Sequence, residues 1–208
     1  MKLLVISSSS PVDSESVIVK KLIDEGLETL HIRKPKLSTD ALRKFLDEFK
    51  EEYHKHMIIH THHNLIWDYN LQGIHVTKAH KKKKLRTLFE KKLFKFRRPN
   101  MIRTTSCSSI SSLAESYPEF EYVMLSPIFV TPQEHRPTFS RSTLDTIMNK
   151  FPKKIVARGG ANMSHIEKAK EIGFSGIAFH NAVWRNENPI KAFTELRDRY
   201  KQLGLWDI

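Results

Sequence analysis

The chain has 208 residues, of which 39% are hydrophobic and 28% charged. This length and composition predict one globular domain and exclude a disordered or fibrous chain. Apolar runs such as residues 122–125 are too short to cross a bilayer, and a single cysteine, Cys107, excludes an internal disulfide. We therefore expect a cytoplasmic protein that is not a membrane protein, with Cys107 as a packing residue rather than a nucleophile.

The formal net charge of +12 favours anionic partners such as phosphorylated metabolites. Ten of the 35 basic residues lie between His80 and Arg98. No nucleic-acid-binding motif surrounds this segment, so we interpret it as a solvated surface. Binding of nucleic acid or another anionic surface through residues 80–98 is the less favoured alternative.

Short apolar runs predict eight strands, at residues 3–6, 30–32, 57–59, 74–76, 101–102 onward, 122–125, 155–157 and 177–179. Apolar residues between them recur at helical spacing, as at Leu42, Phe45, Leu46 and Phe49. Ser164 and Glu167, three residues apart, predict a capping box. Eight strand–helix repeats indicate parallel strands, in either a closed (β/α)₈ TIM barrel or an open doubly wound sheet. The strand count and the small size favour a barrel formed by residues 1–208 as a single domain.

In a barrel of this kind, ligands bind at the carboxyl ends of the strands. The residues that the predicted strands place there include no carboxylate: Arg33, His60, His62, His75, Ser106, Pro127, Arg158, Gly159, Gly160, His180 and Asn181. We expect Arg158, Gly159 and Gly160 to bind phosphate, since glycines let the backbone approach an oxyanion and a helix begins just after them. His180 and Asn181 follow strand eight in the matching position.

Strand two ends in a cationic segment. Alternation along the strand places His31 and Arg33 inside the barrel and Ile32 against the helices. A buried arginine needs an anion or a carboxylate, so Arg33 either forms an ion pair within the barrel or, with Lys34, holds a phosphate or diphosphate.

The histidines and two hydroxyl residues complete the candidate site. We expect His60 and His62 to face one mouth of the barrel with His75 beside them, and acid–base, metal-binding and structural roles all remain open. Ser106 is a further catalytic candidate. Thr131 offers a hydroxyl in the polar loop after strand six, which is either a lid or a plain surface loop.

Five short motifs in the right order resemble the thiamine-phosphate synthase/TenI family almost from end to end. Family motifs Gln-Leu-Arg-x-Lys, Gly-x-His, Ser-x-His-Ser, Gly-Pro-Ile-Phe-x-Thr-Pro and Gly-Gly-Ile-Asn correspond to residues 31–35, 73–75, 106–109, 126–132 and 159–162. The resemblance implies a (β/α)₈ fold that joins a hydroxymethylpyrimidine diphosphate to a thiazole phosphate as magnesium-bound diphosphate leaves. It implies that Arg33 and Ser106 serve the pyrimidine diphosphate. Thr131, Gly160 and the backbone around His180 and Asn181 would then hold the thiazole phosphate.

The sequence departs from the family pattern where the family binds Mg²⁺. His60 and Thr61 replace an Asn-Asp pair, and the segment 76–80 lacks the acid that follows strand four. Pro35 and Ser108 replace a motif lysine and a motif histidine, and Pro127 stands where TenI-type isomerases have a histidine. Mg²⁺ prefers oxygen ligands, so a magnesium cofactor is expected only if other groups hold it. A divergent synthase is the first interpretation, a TenI-like paralogue that binds or isomerises a thiazole phosphate is the second, and a homodimer is compatible with either.

Overall fold

The computed structural model describes residues 1–77, 80, 96–129 and 139–206. Eight parallel strands close into a barrel in which each strand pairs with its neighbour in the chain and β8 pairs with β1. The strands are β1 Lys2–Ile6, β2 Thr29–Ile32, β3 Met57–Ile59, β4 Gly73–Val76, β5 Ile102–Cys107, β6 Tyr122–Leu125, β7 Ile155–Arg158 and β8 Gly176–Phe179. The closed TIM barrel is confirmed, and the open doubly wound sheet is wrong.

Helices follow the strands as the apolar spacing predicts. In the part of the chain that the structure describes they are α1 Glu15–Asp24, α2 Thr39–Asp47, α3 Glu51–His54, α4 Ile110–Ser116, α5 Arg141–Lys150, α6 Ile166–Ile172, α7 Asn181–Trp184 and α8 Pro189–Gln202, with 3₁₀ turns at His63–Trp67 and Met163–His165. Helix α2 is typical: Leu42 and Leu46 are buried, and the Ser38 side chain caps its first turn by accepting from the Ala41 N–H.

The core has two layers because strand side chains alternate between the barrel interior and the helices. On β1, Leu4 and Ile6 belong to the interior cluster, which also contains Ile58 and Met124. The intervening residues of β1 pack against the surrounding helices, where most of the apolar core lies. Cys107 is buried at the end of β5, with its thiol against the Ser112 carbonyl, as a packing residue would be.

The capping box before α6 differs from the prediction. Asn162 is the N-cap: its side chain accepts from the Ser164 N–H, and the His165 ring accepts from the Asn162 N–H at 3.3 Å. A 3₁₀ turn precedes the α-helix, so the chain turns into helical geometry earlier than Ser164. Glu167 instead forms an ion pair with Arg199.

Among the helices that the structure describes, none combines the length and the apolar character needed to span a bilayer.

Candidate functional site

A cleft of about 470 Å³ opens at the carboxyl ends of the strands. The segments that follow β2, β6, β7 and β8 line it, together with Ile6 of β1, Arg158 of β7 and Ala178 of β8. Its polar lining is Arg33, Ser126, Arg158, Asn162, His180, Asn181 and Arg185, and its backbone lining includes Gly159 and Gly160. The strand-end location expected from the sequence is therefore where the structure has its cleft.

Three arginines line this cleft from different elements. Arg33 follows β2, Arg158 is the last residue of β7, and Arg185 follows α7. No carboxylate lines the cleft among the residues that the structure describes. Burial, and then the charge of Arg33, lower the pKa of the Arg158 guanidinium. Repelling cations held together without a carboxylate make a strongly positive cleft, which favours an anionic ligand.

The turn after β7 brings backbone to the cleft surface. Gly159 and Gly160 adopt φ values of 91° and 67°, which disfavour residues with a side chain. A Cβ on Gly160 would lie 2.4 Å from the Phe129 carbonyl oxygen, because residues 126–129 run beside this turn. The Ile128 and Phe129 N–H groups donate to the carbonyls of Arg158 and Gly159 at 3.0 and 3.1 Å. The glycine turn is therefore fixed on one side and open to the cleft on the other.

His180 and Asn181 line the cleft after β8, the strand that pairs with β7. The His180 Nδ1 lies 2.8 Å from the Asn181 Oδ1. Burial is the main cause that lowers the pKa of His180; the contact with Asn181 opposes it, and the charges of Arg33, Arg158 and Arg185 add to it. A neutral His180 ring that uses one nitrogen on Asn181 keeps its second nitrogen for another partner.

Beneath the cleft lies a buried cluster that we call the histidine triad, formed by His31, His60 and His75. His31 Nδ1 lies 3.0 Å from His60 Nε2, and the His60 and His75 rings stack with centroids 4.1 Å apart. His31 Nε2 contacts the Tyr122 hydroxyl at 2.5 Å. Burial, with a smaller contribution from the charge of Arg158, lowers the pKa of His31 to about 3. Burial likewise holds the pKa of His60 well below its ordinary value. His31 and His60 are therefore neutral at physiological pH.

Ser106 connects the histidine triad to the cleft. Its hydroxyl lies 3.0 Å from His75 Nε2 and accepts from the Arg158 guanidinium at 3.3 Å. The other nitrogen of His75, Nδ1, lies 2.8 Å from Thr104 Oγ1. A continuous polar path thus runs from a cleft arginine through Ser106 to a buried imidazole.

The structure brings most of the predicted site residues together. Arg33, Arg158, Gly159, Gly160, His180 and Asn181 line one cleft, with Ser106, His60 and His75 beneath it. Arg33 lines the cleft, as alternation along β2 predicts. Among the described residues, its guanidinium forms no ion pair with a carboxylate. Thr131 lies outside the described residues.

Two predicted placements are wrong. His62 does not share the mouth with His60, since it adopts φ 53° and its ring contacts Thr39 Oγ1 and the Leu37 carbonyl, both at 2.8 Å. Lys34 does not face the cleft: it points to the helix side and forms a buried ion pair with Glu15. The Lys34 ammonium is thus already neutralised and cannot serve a phosphate in the cleft without breaking that pair.

Three contributors were not predicted as site residues. Alternation places His31 inside the barrel, but it lies within β2 rather than at the strand end, where the site residues are expected. Tyr122 belongs to an apolar run, and only its contact with His31 reveals a polar role. Arg185 lies beyond α7, six residues after the end of β8, and the signal for it would have been its position just past a strand-end helix.

The donor set of this site does not fit magnesium. Mg²⁺ requires octahedral oxygen ligation, usually with one or two carboxylates. The groups gathered at the described strand ends are imidazoles, guanidinium groups, serine hydroxyls and asparagine amides, with no carboxylate among them, in a positive field that opposes a hard dication.

Fold and site together define a TIM barrel with a cationic cleft at the carboxyl ends of its strands. A family model described as thiamine monophosphate synthase (TMP-TENI) matches residues 3–183. The chain belongs to this family.

Individual relatives are more distant. The chain is 29% identical over 96 residues to thiamine-phosphate synthase from Haemophilus influenzae strain Rd, a match that covers 43% of this chain and 42% of the relative. A solved structure of thiamine phosphate pyrophosphorylase from Bacteroides thetaiotaomicron is 23% identical and superposes with a TM-score of 0.77, covering 100% of both chains. The Pyrococcus furiosus enzyme of the same name is 20% identical with a TM-score of 0.76, covering 97% of this chain and 96% of that one. At these identities the structural matches establish the fold.

Proposed function

We propose that the protein joins a hydroxymethylpyrimidine diphosphate to a thiazole phosphate and releases diphosphate, as a thiamine-phosphate synthase. The observation that carries the proposal is the cleft, where three arginines and a two-glycine turn meet at the strand ends of a barrel from this family. Two phosphorylated substrates need two anion-binding regions, and the cleft offers arginines on several walls with backbone between them.

The reaction forms one carbon–nitrogen bond and breaks one carbon–oxygen bond. The thiazole ring nitrogen attacks the methylene carbon of the pyrimidine, and the electron pair of the broken bond leaves with the diphosphate. The ring nitrogen becomes cationic, so no proton has to move in this step. Negative charge builds up on the departing diphosphate, where fixed cations stabilise the transition state most.

Arg33 and Arg158 are the groups we assign to the diphosphate. Their mutual repulsion is relieved when an anion lies between them, and Ser106 fixes the Arg158 guanidinium at 3.3 Å. Gly160, His180 and Asn181 are assigned to the thiazole phosphate, because the glycine turn lets an anion approach the backbone. Guanidinium groups thus take the role of the magnesium ion, for which the described part of the site offers no carboxylate.

A TenI-like isomerisation of a thiazole phosphate is the second candidate, favoured by the histidine triad. Isomerisation requires a proton to leave one ring position and return to another, and neutral imidazoles accept and donate protons. His75 reaches toward the cleft through Ser106. The structure describes residues 126–129 of the loop after β6, and these include no histidine. Binding of anionic surfaces through residues 80–98 stays a prediction, since most of that segment lies outside the described residues.

The test is a thiamine-phosphate formation assay with both phosphorylated substrates, run with Mg²⁺ and with EDTA. We expect product in both, because the arginines replace the metal. Arg33→Ala should reduce kcat/KM at least tenfold, while the matched control Arg43→Ala, an exposed arginine paired with Asp68 outside the cleft, should change it little.

Three results would correct the proposal. Product in Mg²⁺ alone would contradict the metal-free role of the arginines. No product from folded protein, with a known synthase active in parallel, would refute condensation. In that case, exchange of a thiazole-phosphate ring proton with deuterated solvent would identify the TenI-like isomerisation.

A further inference from the structure

We infer that the histidine triad is a binding site for a divalent transition-metal ion of the zinc type, completed by an anion from the cleft. The three protein ligands follow from the geometry of His31, His60 and His75 alone, whereas the anion that completes the site rests on the cationic cleft of the proposed function. The site is distinct from a magnesium site in its ligand atoms, its depth in the barrel and the class of metal it takes.

The three side chains already stand close enough to share one ion. One ring nitrogen of each lies within 4.8 Å of those of the other two, and all three residues are at least 95% buried. Zinc–imidazole bonds are roughly 2.0–2.1 Å long, so two ligands of a tetrahedral ion lie about 3.3 Å apart. His31 Nδ1 and His60 Nε2 are 3.0 Å apart. Small ring rotations are sufficient to exchange their mutual hydrogen bond for two bonds to a metal.

The surroundings hold two of these rings in a ligating orientation. A metal-binding histidine usually directs its second ring nitrogen to a fixed hydrogen-bonding group. His31 directs Nε2 to the Tyr122 hydroxyl at 2.5 Å, which leaves Nδ1 on the side of His60. His75 directs Nδ1 to Thr104 at 2.8 Å, which leaves Nε2 on the side of Ser106 and the cleft. Both rings therefore have an outer partner that supports ligation by the other nitrogen.

The donor set selects the class of metal. Three imidazoles without a carboxylate suit zinc, cobalt, nickel or copper rather than magnesium or calcium. Three protein ligands also leave the fourth position of a tetrahedral ion open. Ser106 links His75 to Arg158, and Arg33 lines the same cleft. These cations repel a bare dication, so the fourth ligand has to be an anion. An oxyanion in the cleft meets both requirements, since it contacts the arginines and supplies an oxygen to the metal.

Cobalt(II) is the probe, because tetrahedral cobalt absorbs in the visible and octahedral cobalt does so only weakly. The full-length protein is treated with EDTA, dialysed and titrated with Co²⁺ in the presence and absence of sulfate. We expect one equivalent bound with a tetrahedral spectrum, displaced by one equivalent of Zn²⁺, and an affinity that sulfate raises at least tenfold. Failure to bind one equivalent, or an octahedral spectrum, would overturn the site, and an affinity that ignores sulfate would contradict the anion as fourth ligand.

Variants separate the histidine triad from other histidines. His60→Gln should abolish the tetrahedral spectrum, and Tyr122→Phe should weaken binding by roughly 10- to 100-fold through the lost outer partner of His31. His62→Ala is the matched control, because His62 contacts Leu37 and Thr39 outside the triad, and it should bind as the wild type does. Equal loss in His62→Ala and His60→Gln would refute the assignment.

If His60→Gln does not fold, X-ray absorption of zinc-loaded wild-type protein tests the metal site instead. Three imidazoles in the first coordination shell would support the site, and a shell dominated by oxygen would overturn it. Neither readout depends on catalytic turnover, so loss of the condensation proposal would leave the metal result unchanged.

Discussion

Arg158 lies where the cleft and the histidine triad meet, and Arg158→Gln tests the anion site most directly. The change removes a positive charge from the end of β7 and retains an N–H donor near Ser106. Burial and the charge of Arg33 disfavour the charged form of Arg158. The substitution should therefore weaken ligand binding without lowering the stability of the ligand-free protein.

The size of each effect follows from the contacts. A hydrogen bond to a charged group contributes about 2 kcal/mol, which is roughly thirtyfold in Kd at 25 °C. Relief of the repulsion with Arg33 should contribute about 1 kcal/mol to folding, well below the Coulomb limit for close charges. In a domain of this size, 1 kcal/mol shifts Tm by about 2–4 °C. We therefore expect weaker anion binding together with an equal or slightly higher Tm.

Calorimetric titration with inorganic diphosphate in EDTA measures the affinity, and thermal unfolding without ligand measures Tm. Arg43→Gln is the control for the general loss of one charge, since Arg43 is exposed and paired with Asp68. An unchanged Kd would refute the assignment of Arg158 to the anion site. A fall of more than about 5 °C in Tm would show that the arginine stabilises the fold, contrary to the like-charge argument.

Three further predictions concern two glycines and a buried histidine. Gly160→Ala should weaken phosphate binding at least tenfold in a folded protein, because its φ is 67° and the new Cβ would lie 2.4 Å from the Phe129 carbonyl oxygen. Calorimetry measures the affinity and circular dichroism the folding, and an unchanged affinity would contradict the prediction. Gly73→Ala should cost about 3 kcal/mol in urea unfolding, since its Cβ would lie 2.1 Å from the Ile102 carbonyl oxygen inside the barrel wall; a loss below about 1 kcal/mol would be inconsistent with that contact. The pKa of His31 falls from 6.5 to about 3 on folding, so the unfolded chain takes up its proton first and stability is lost as pH falls from 6.5 towards 3. With EDTA present, the drop in unfolding free energy between pH 7 and pH 5 should be about 2 kcal/mol smaller in His31→Gln than in the wild type, and equal drops would argue against a neutral His31.

The barrel could be predicted because its signals are local and repeated. Most strands are short apolar runs, although β5 is apolar only at its start and continues through polar residues to Cys107. Helices such as α2 carry apolar residues at i, i+3 and i+4, so eight repeats leave few alternatives. Helix starts follow less directly from the sequence: Ser164 has the right residue type, but the 3₁₀ turn at Met163–His165 moves the cap to Asn162. A serine at the correct spacing therefore does not identify the residue that caps the helix.

The site could be predicted where strand alternation continues and not where it stops. Period two places Arg33 inward and, applied one residue further, places Lys34 outward; the structure shows that its partner there is Glu15. His62 lies three residues beyond the end of β3, where φ 53° turns the chain and alternation gives no direction. The position of Arg185 depends on how α7 crosses the barrel end, and that tertiary arrangement does not follow from strand alternation.

Where the family pattern has acidic residues at the strand ends, this chain has none and instead offers imidazoles and guanidinium groups. This single change of charge argues for the cationic cleft and the histidine triad together. In a carboxylate site, acidic ligands neutralise a dication, and the diphosphate is held through the metal. Imidazole ligands carry no negative charge, so any metal bound at His60 and His75 needs its negative charge from elsewhere. Arg33 and Arg158 in turn need an anion to relieve their repulsion. An oxyanion between the two groups satisfies both requirements, and loss of the arginines would leave a metal at the histidine triad without the anion that neutralises it.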